Sequence, residues 1–223
     1  MARDFDGAND RVDFGSDASI DGFTAFTVMG WVDVQTPASN SDFWVSKNHS
    51  GGVDSGWQTS FNTFSGVCDI YRTWSTTAGA WTFPKPATGI HHIAITYDGA
   101  ATTNDPAATV DGAAQTITEG AAPSGTLSSD AAQPLRIGET GNDGQDFQGK
   151  IGWLVYHNSI LDAAAINRHR WWGRPHGGLA VYHPLVTDKL ANEGTATANG
   201  TATGTTVVSM VTPVQRPGMG TAL

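Results

Sequence analysis

The stretch Ala25-Phe26-Thr27-Val28-Met29-Gly30-Trp31-Val32-Asp33-Val34 decides the fold class. Phe26, Val28, Val32 and Val34 share one parity, and Met29 and Trp31 share the other. Successive side chains of a strand leave opposite faces. Apolar residues on both parities therefore predict a central strand covered on each side.

Outward from this strand, further strands are expected at Asp42–Lys47, Trp57–Asn62, Val67–Arg72, His91–Asp98, Ala107–Val110, Gln115–Glu119, Leu135–Gly138 and Lys150–His157. Gly, Pro, Asn and Asp separate them, as hairpins require, with Asp98-Gly99 and Asp111-Gly112 the strongest turn signals. One helix is expected, with Asp162 as N-cap, Ala163-Ala164-Ala165-Ile166 as its first turn and Gly173 at its end. From Gly177 the texture changes. Gly178-Leu-Ala-Val-Tyr-His-Pro-Leu185 reads as a strand, Thr195–Gly204 is a low-complexity Thr/Ala/Gly run, and Val207–Val211 reads as a last edge strand before Pro213 and Pro217. The predicted division is a β-domain over 1–173 and an extension over 174–223. The extension is too small to bury a core alone, so it is expected to pack on the sandwich or on a neighbouring subunit.

Composition narrows the function classes. The chain has 223 residues, 39% hydrophobic and 15% charged, with a net charge of −9. Few charges with 27 glycines and many threonines suit a turn-rich all-β sandwich. The negative balance, without a Lys/Arg cluster, argues against nucleic acid as a partner. Cys68 is the single cysteine, so an intrachain disulfide is impossible and a buried, inert thiol is expected. No apolar run approaches the roughly 20 residues of a membrane span. Met1 leads into a charged strand with no apolar segment, so no export signal is expected.

Three phrases carry a family resemblance: Asp4-Phe-Asp-Gly-Ala-Asn-Asp-Arg-Val12, His91-His-Ile-Ala-Ile-Thr-Tyr-Asp-Gly99 and Phe147-Gln-Gly-Lys-Ile-Gly-Trp-Leu-Val-Tyr-His157. Together they resemble the start, middle and end of a laminin-G-like, concanavalin A-like lectin/glucanase jelly roll. The resemblance implies a two-sheet antiparallel sandwich, used by lectins, adhesion modules, carbohydrate-binding modules and domains of virus particles. The tail phrases from Gly178 and Asn199 are similar to segments that end jelly-roll proteins of tailed bacteriophages.

Residue by residue, the expectations follow. In the first phrase Gly7 permits a tight bend, Asn9 or Asp10 can cap it, and Phe5, Val12 and Phe14 enter the core. The resemblance implies a calcium site here, since hard cations want several oxygens. It also implies an Asp ligand on the last main strand, where this chain has Gly152. A metal-free turn is therefore expected, with Asp6, Asn9 and Asp10 the candidate ligands, and no cofactor. Asn142, Asp143 and Asp146 form a second oxygen-rich loop, also expected to be a turn. His91 and His92 must face opposite sides of a strand and cannot grip one ion together, so His92 is expected to be a hydrogen-bonded structural residue. Related glycosidases set several carboxylates along one strand and need two carboxyls about 5 to 10 Å apart. Here Glu119, Glu139 and Glu193 stand far apart in sequence, and the acidic motif is absent.

Eight tryptophans remain. Trp31 and Trp153 are expected in the core. Trp74 and Trp81 flank the expected loop Ser75–Ala80, which would expose one of them. Trp171, Trp172, Arg174 and His176 follow the helix as a hinge that packs the tail, or as a ligand or partner surface. The overall expectation is a non-catalytic virion protein, decorating a capsid lattice multivalently or as a homo-oligomer. A glycan-binding lectin-like module is the alternative, and a divergent glycosidase the remote one. A phage particle protein needs neither export signal nor disulfide.

Overall fold

Alternation of apolar and polar residues sorts the strands into two sheets with one core between them. The computed structural model describes residues 2–36, 41–48, 55–62, 64–140, 146–172, 179–183, 197, 199–208 and 210. In chain order the strands are β1 (Ala2–Asp6), β2 (Arg11–Asp13), β3 (Ala25–Val34), β4 (Ser41–Lys47), β5 (Trp57–Asn62), β6 (Val67–Arg72), β7 (Gly79–Pro84), β8 (Gly89–Asp98), β9 (Ala107–Val110), β10 (Ala113–Ala114), β11 (Thr118–Ala121), β12 (Leu135–Ile137) and β13 (Gln148–His157). Helix α1 (Ala163–Trp172) follows, then β14 (Leu179–His183), β15 (Thr201–Thr203) and β16 (Thr206–Val208). The first sheet runs β10-β9-β8-β3-β13-β1-β16, with β14 beside the far half of β13. The second runs β11-β7-β6-β5-β4-β12-β2-β15. This is the all-β, two-sheet antiparallel sandwich with one helix expected from the sequence.

Strand β3 lies inside the first sheet and is covered on both faces. Phe26, Val28, Val32 and Val34 enter the main core; Met29 packs with Ala94, Val155 and Ile166 under α1, and Trp31 with Ala2 and Met210. The main core is held by aromatic contacts between the sheets. Phe26 stacks on Trp57 at 4.7 Å, and the Trp57 indole donates to the Tyr156 hydroxyl at 3.3 Å. Helix α1 begins where expected, because Asp162 Oδ1 accepts from the Ala165 amide at 2.7 Å.

Several expectations need correcting. Gly79–Pro84 is a strand, because Trp81 and Phe83 alternate inward against Ala80 and Thr82. Gly79 is needed for it, since a Cβ there would lie 2.0 Å from the Trp81 ring. The expected strand at Gln115–Glu119 is found two or three residues later, as β11. Trp153 is not in the core. It sits at a bulge in β13 with φ +47, where the pairing to β3 shifts between Gly152 and Val155. A bulky residue in that region costs roughly 1 to 3 kcal/mol. The extra residue reverses parity along β13, so that Ile151 before it and Leu154 and Tyr156 after it all face inward. Trp153 is thereby turned outward, half-buried against the cluster of Trp31, Ala2 and Met210.

One end of the sandwich is closed by a buried ionic node. Lys47 is fully buried, and its ammonium donates to Asp21 Oδ1 at 2.6 Å, the Asp130 carbonyl at 2.9 Å and the Gln133 carbonyl at 2.7 Å. The Asp130 carboxylate accepts from the Gly22 amide at 2.7 Å and faces Arg72 at 3.4 Å. Lys47→Met keeps the apolar stem but strands these acceptors. It is expected to lower the unfolding free energy in urea by about 3 kcal/mol, as for other broken buried pairs; a loss below about 1 kcal/mol would show the node to be dispensable.

Candidate functional site

Strand β2 is three residues long, and Val12 fills its single inward position. Arg11 and Asp13 therefore leave the outer face of the second sheet. On β12 the same alternation sends Leu135 and Ile137 inward and Arg136 outward. Register sets Asp13 between Arg136 on one side and Thr201 of β15 on the other, and Arg11 beside Thr203. The charges interlock. Arg136 Nε donates to Asp13 Oδ2 at 2.8 Å, and Arg11 Nη1 donates to Glu139 Oε2 at 2.9 Å. Arg136 Nη1 lies 3.5 Å from Glu139 Oε1 and 3.3 Å from the Thr140 carbonyl. Asp13 Oδ1 also accepts from the Gly15 amide at 2.7 Å. Two cations and two anions thus cancel on one polar surface.

Arg11, Asp13, Phe14, Gly15, Asn199, Thr201 and Thr203 line an open cleft of about 420 Å³, within the size range of small-molecule sites. Asn199, Thr201 and Thr203 of its wall come from the tail. Gly200 allows the close approach, since a Cβ there would meet Val12 at 2.8 Å and the Phe14 ring at 3.1 Å. Thr197 anchors the incoming chain, its hydroxyl donating to Asp17 Oδ1 at 2.8 Å and its amide to Ser19 Oγ at 2.9 Å. Hydrogen bonds from Ser19 and then Thr197 hold the Asp17 carboxyl below its ordinary range. A second cleft, about 340 Å³, lies at the start of α1. Its wall mixes Ile160, Leu161, Ala164 and Ala165 with Ser159, Asp162 and Arg168, and the ring of its buried His157 already accepts from the Ser159 amide at 3.1 Å.

The residues expected to form a surface site are dispersed. Trp74 and Trp81 are buried, at 6% and 1% exposure. Their indoles donate to Tyr97 Oη at 3.2 Å and Asp105 Oδ1 at 2.7 Å. The Ser75–Ala80 segment does not expose them, because Trp74 and Thr77 bridge to Leu127 and Ser124 and the rest enters β7. Trp171 is partly buried, with Arg170 over its ring at 4.3 Å, and Trp172 is exposed. Arg174 and His176 lie outside the described residues. Cys68 is buried in the core, and burial pushes its thiol pKa well up.

At the first turn Asp10 Oδ2 accepts from the Asp6 amide at 2.7 Å, and Asp6 Oδ1 accepts from the Ala8 amide at 2.9 Å. Asn9 takes a left-handed conformation, φ +63. Burial raises the Asp10 pKa; the Asp6 amide opposes this, while the Asp6 and Asp146 charges add to it. Among the described residues no three His, Cys, Asp or Glu side chains are grouped to hold a metal ion. Asn142, Asp143 and Glu193 lie outside the described residues. Glu119 is exposed on β11, and Glu139 is the buried carboxylate behind the cleft. His91 and His92 do part to opposite faces. His91 Nδ1 meets Asp111 Oδ2 at 2.7 Å, whereas His92 is buried, its Nε2 2.9 Å from His169 Nδ1.

Sequence reasoning missed the cleft. The signal was present in Arg11-Val12-Asp13 and Leu135-Arg136-Ile137, where charged residues alternate with core residues. The Thr201 and Thr203 contribution could not be read from a low-complexity run.

Comparison places this geometry among known folds. A sequence profile of the concanavalin A-like lectin/glucanases superfamily matches residues 6–167. No curated protein matches the chain. Among solved structures, a Bacteroides ovatus protein provisionally described as carbohydrate-binding is similar at TM-score 0.64 and 14% identity, over 92% of this chain and 59% of that one. This chain thus spans under two thirds of that protein. The heptameric SAP-like pentraxin of Limulus polyphemus is similar at TM-score 0.54 and 12% identity, over 75% and 80% of the two chains. So is the CBM40 module of the Ruminococcus gnavus IT-sialidase bound to alpha2,3 sialyllactose, at TM-score 0.54 and 11% identity, over 74% and 96%.

The carboxylates of the first turn each accept from a backbone amide, and no third carboxylate, histidine or cysteine among the described residues joins them in a metal-sized group. Millimolar calcium or EDTA is therefore expected to shift the melting temperature by less than about 1 °C. A larger rise with calcium would assign an ion to Asp6 and Asp10.

Proposed function

The chain belongs to the concanavalin A-like lectin/glucanase superfamily, and from that membership we propose that it is a non-catalytic, lectin-like module binding a glycan in the β2–β15 cleft. The observation that carries this reading is a cleft lined by Arg11, Asp13, Asn199 and the hydroxyls of Thr201 and Thr203, with Phe14 at its base, its two charged residues held from behind by the buried Glu139 and by Arg136. Fixed donors and acceptors around a small apolar floor suit a polyhydroxylated ligand. Each guanidinium already faces a carboxylate, so a neutral sugar fits better than a carboxylated one. The same pairing argues against glycoside hydrolysis. A general acid must keep a proton in an apolar setting, whereas Asp13 and Glu139 both face arginine.

The expectation of a virion decoration or adhesion protein is a separate proposal. Mass spectrometry of purified particles tests it. The described tail segments 201–203 and 206–208 pair with this chain's own sheets, so a lattice contact would have to use another surface, such as the exposed Trp172.

A glycan array followed by titration tests the lectin reading. Binding of a neutral glycan is expected, and Asn199→Ala with Thr201→Ala should weaken it at least about tenfold, the equivalent of one or two hydrogen bonds, with the melting temperature unchanged. Binding unaffected by these changes, or no glycan bound at all, would overturn it.

A further inference from the structure

Helix α1 is docked on the outer face of the first sheet by few groups. Ile166 covers the apolar patch of Met29, Ala94 and Val155, with Leu161 beside it. One turn later, fully buried His169 meets fully buried His92 of β8, Nδ1 to Nε2 at 2.9 Å, with the rings 5.2 Å apart. This is the polar contact at the centre of the helix–sheet seam.

The surroundings decide its charge. The Trp153 carbonyl of β13 lies on the other side of His169 and favours a proton on Nε2, although no hydrogen bond of good geometry forms there. His169 Nδ1 then accepts from His92 Nε2–H, and His92 Nδ1 is a buried nitrogen with no partner. From β3 the Trp31 ring meets His92 edge-on at 5.4 Å, its own buried Nε1 also without a partner. From α1 comes Arg170, whose positive charge opposes a second cation. The Asp111 carboxylate, on the β9–β10 turn against which Arg170 packs, is already engaged by the His92 amide and the His91 ring. Two neutral imidazoles fit this seam; an imidazolium gains no carboxylate in contact and leaves a buried charge.

We propose that the His92–His169 contact is an acid-sensitive latch: protonation releases α1 from the sheet and uncovers Met29, Ala94 and Val155. The direction follows from linkage. Burial first, then the neighbouring charges, hold His92 well below the ordinary imidazole range, and burial lowers His169 to about 4. Once the helix is released, His169 and the uncovered His92 are ordinary imidazoles, so the released state takes up protons first. The latch is fully engaged above about pH 6.5 and weakens as pH falls through 4, by about 300-fold in all for His169 alone.

Hydrogen exchange on the full chain tests this, with rates corrected for the intrinsic pH dependence. Amides of 163–172 should lose protection by at least about tenfold per pH unit below 6.5 while β3 stays protected, and a hydrophobic dye should bind as they do. His92→Leu combined with His169→Leu, which leaves no imidazole at the seam to take a proton, should keep the helix protected at pH 4.5. Unchanged protection of the wild-type helix at pH 4.5, or its loss together with β3, would overturn the latch. Should the double variant fail to fold, imidazole titration of the wild type by NMR decides: rings that ionise near pH 6.5 with the helix still docked would refute it. The latch stands apart from the glycan reading, and either can fail alone.

Discussion

The ammonium of Lys47 organises the end of the sandwich from which β3 starts. All three of its protons have acceptors, on Asp21, Asp130 and Gln133. These acceptors sit on two loops that are far apart in sequence, and Lys47 itself ends β4 of the second sheet. The Asp21-Gly22 segment leads into β3 of the first sheet, so a single cation ties the two sheets at one edge. Arg72 repeats the arrangement from β6, reaching Asp130 and the Ser128 carbonyl. Lys47, Arg72 and Asp130 are buried together with Asp21 half-buried beside them, an arrangement that stabilises little by itself but tolerates no missing member. Close backbone approach is part of it, since a Cβ on Gly56 would lie 1.9 Å from the Lys47 carbonyl.

The fold was legible wherever one residue set faced the core and the other faced solvent or a second layer. Strands β3, β5, β6 and β9 begin and end where their alternation says, and the Asp111-Gly112 turn has the two left-handed residues its dipeptide requires. Legibility failed for two physical reasons. Trp74 and Trp81 are large enough to look like surface anchors, and nothing local distinguishes that from a core role; distant partners, Tyr97 for both, Leu127 for Trp74 and Asp105 for Trp81, settle it. The Trp153 bulge cannot be seen in a sequence either, because inserting one residue reverses parity without changing composition.

The candidate site was less legible than the fold. The Asp6–Asp10 turn was recognised from its Gly and carboxylates, and its side chains turn out to cap their own backbone. The cleft is a junction of segments at opposite ends of the chain. Thr201 and Thr203 acquire meaning only through register with Asp13 and Arg11. A short β-strand of threonine and alanine, uninformative in isolation, is a row of hydroxyls once it lies beside two charged residues.

The pairing of β1 also has a consequence in time. Arg3 stands opposite Ile151 on one side and Val207 on the other, so β1 has no partner until most of the chain has left the ribosome. Such long-range pairing slows folding and leaves a bare strand edge during synthesis. Arg3, Asp4 and Asp6 crowd three charges into the five residues of that strand, which discourages association between nascent chains before β13 and β16 arrive.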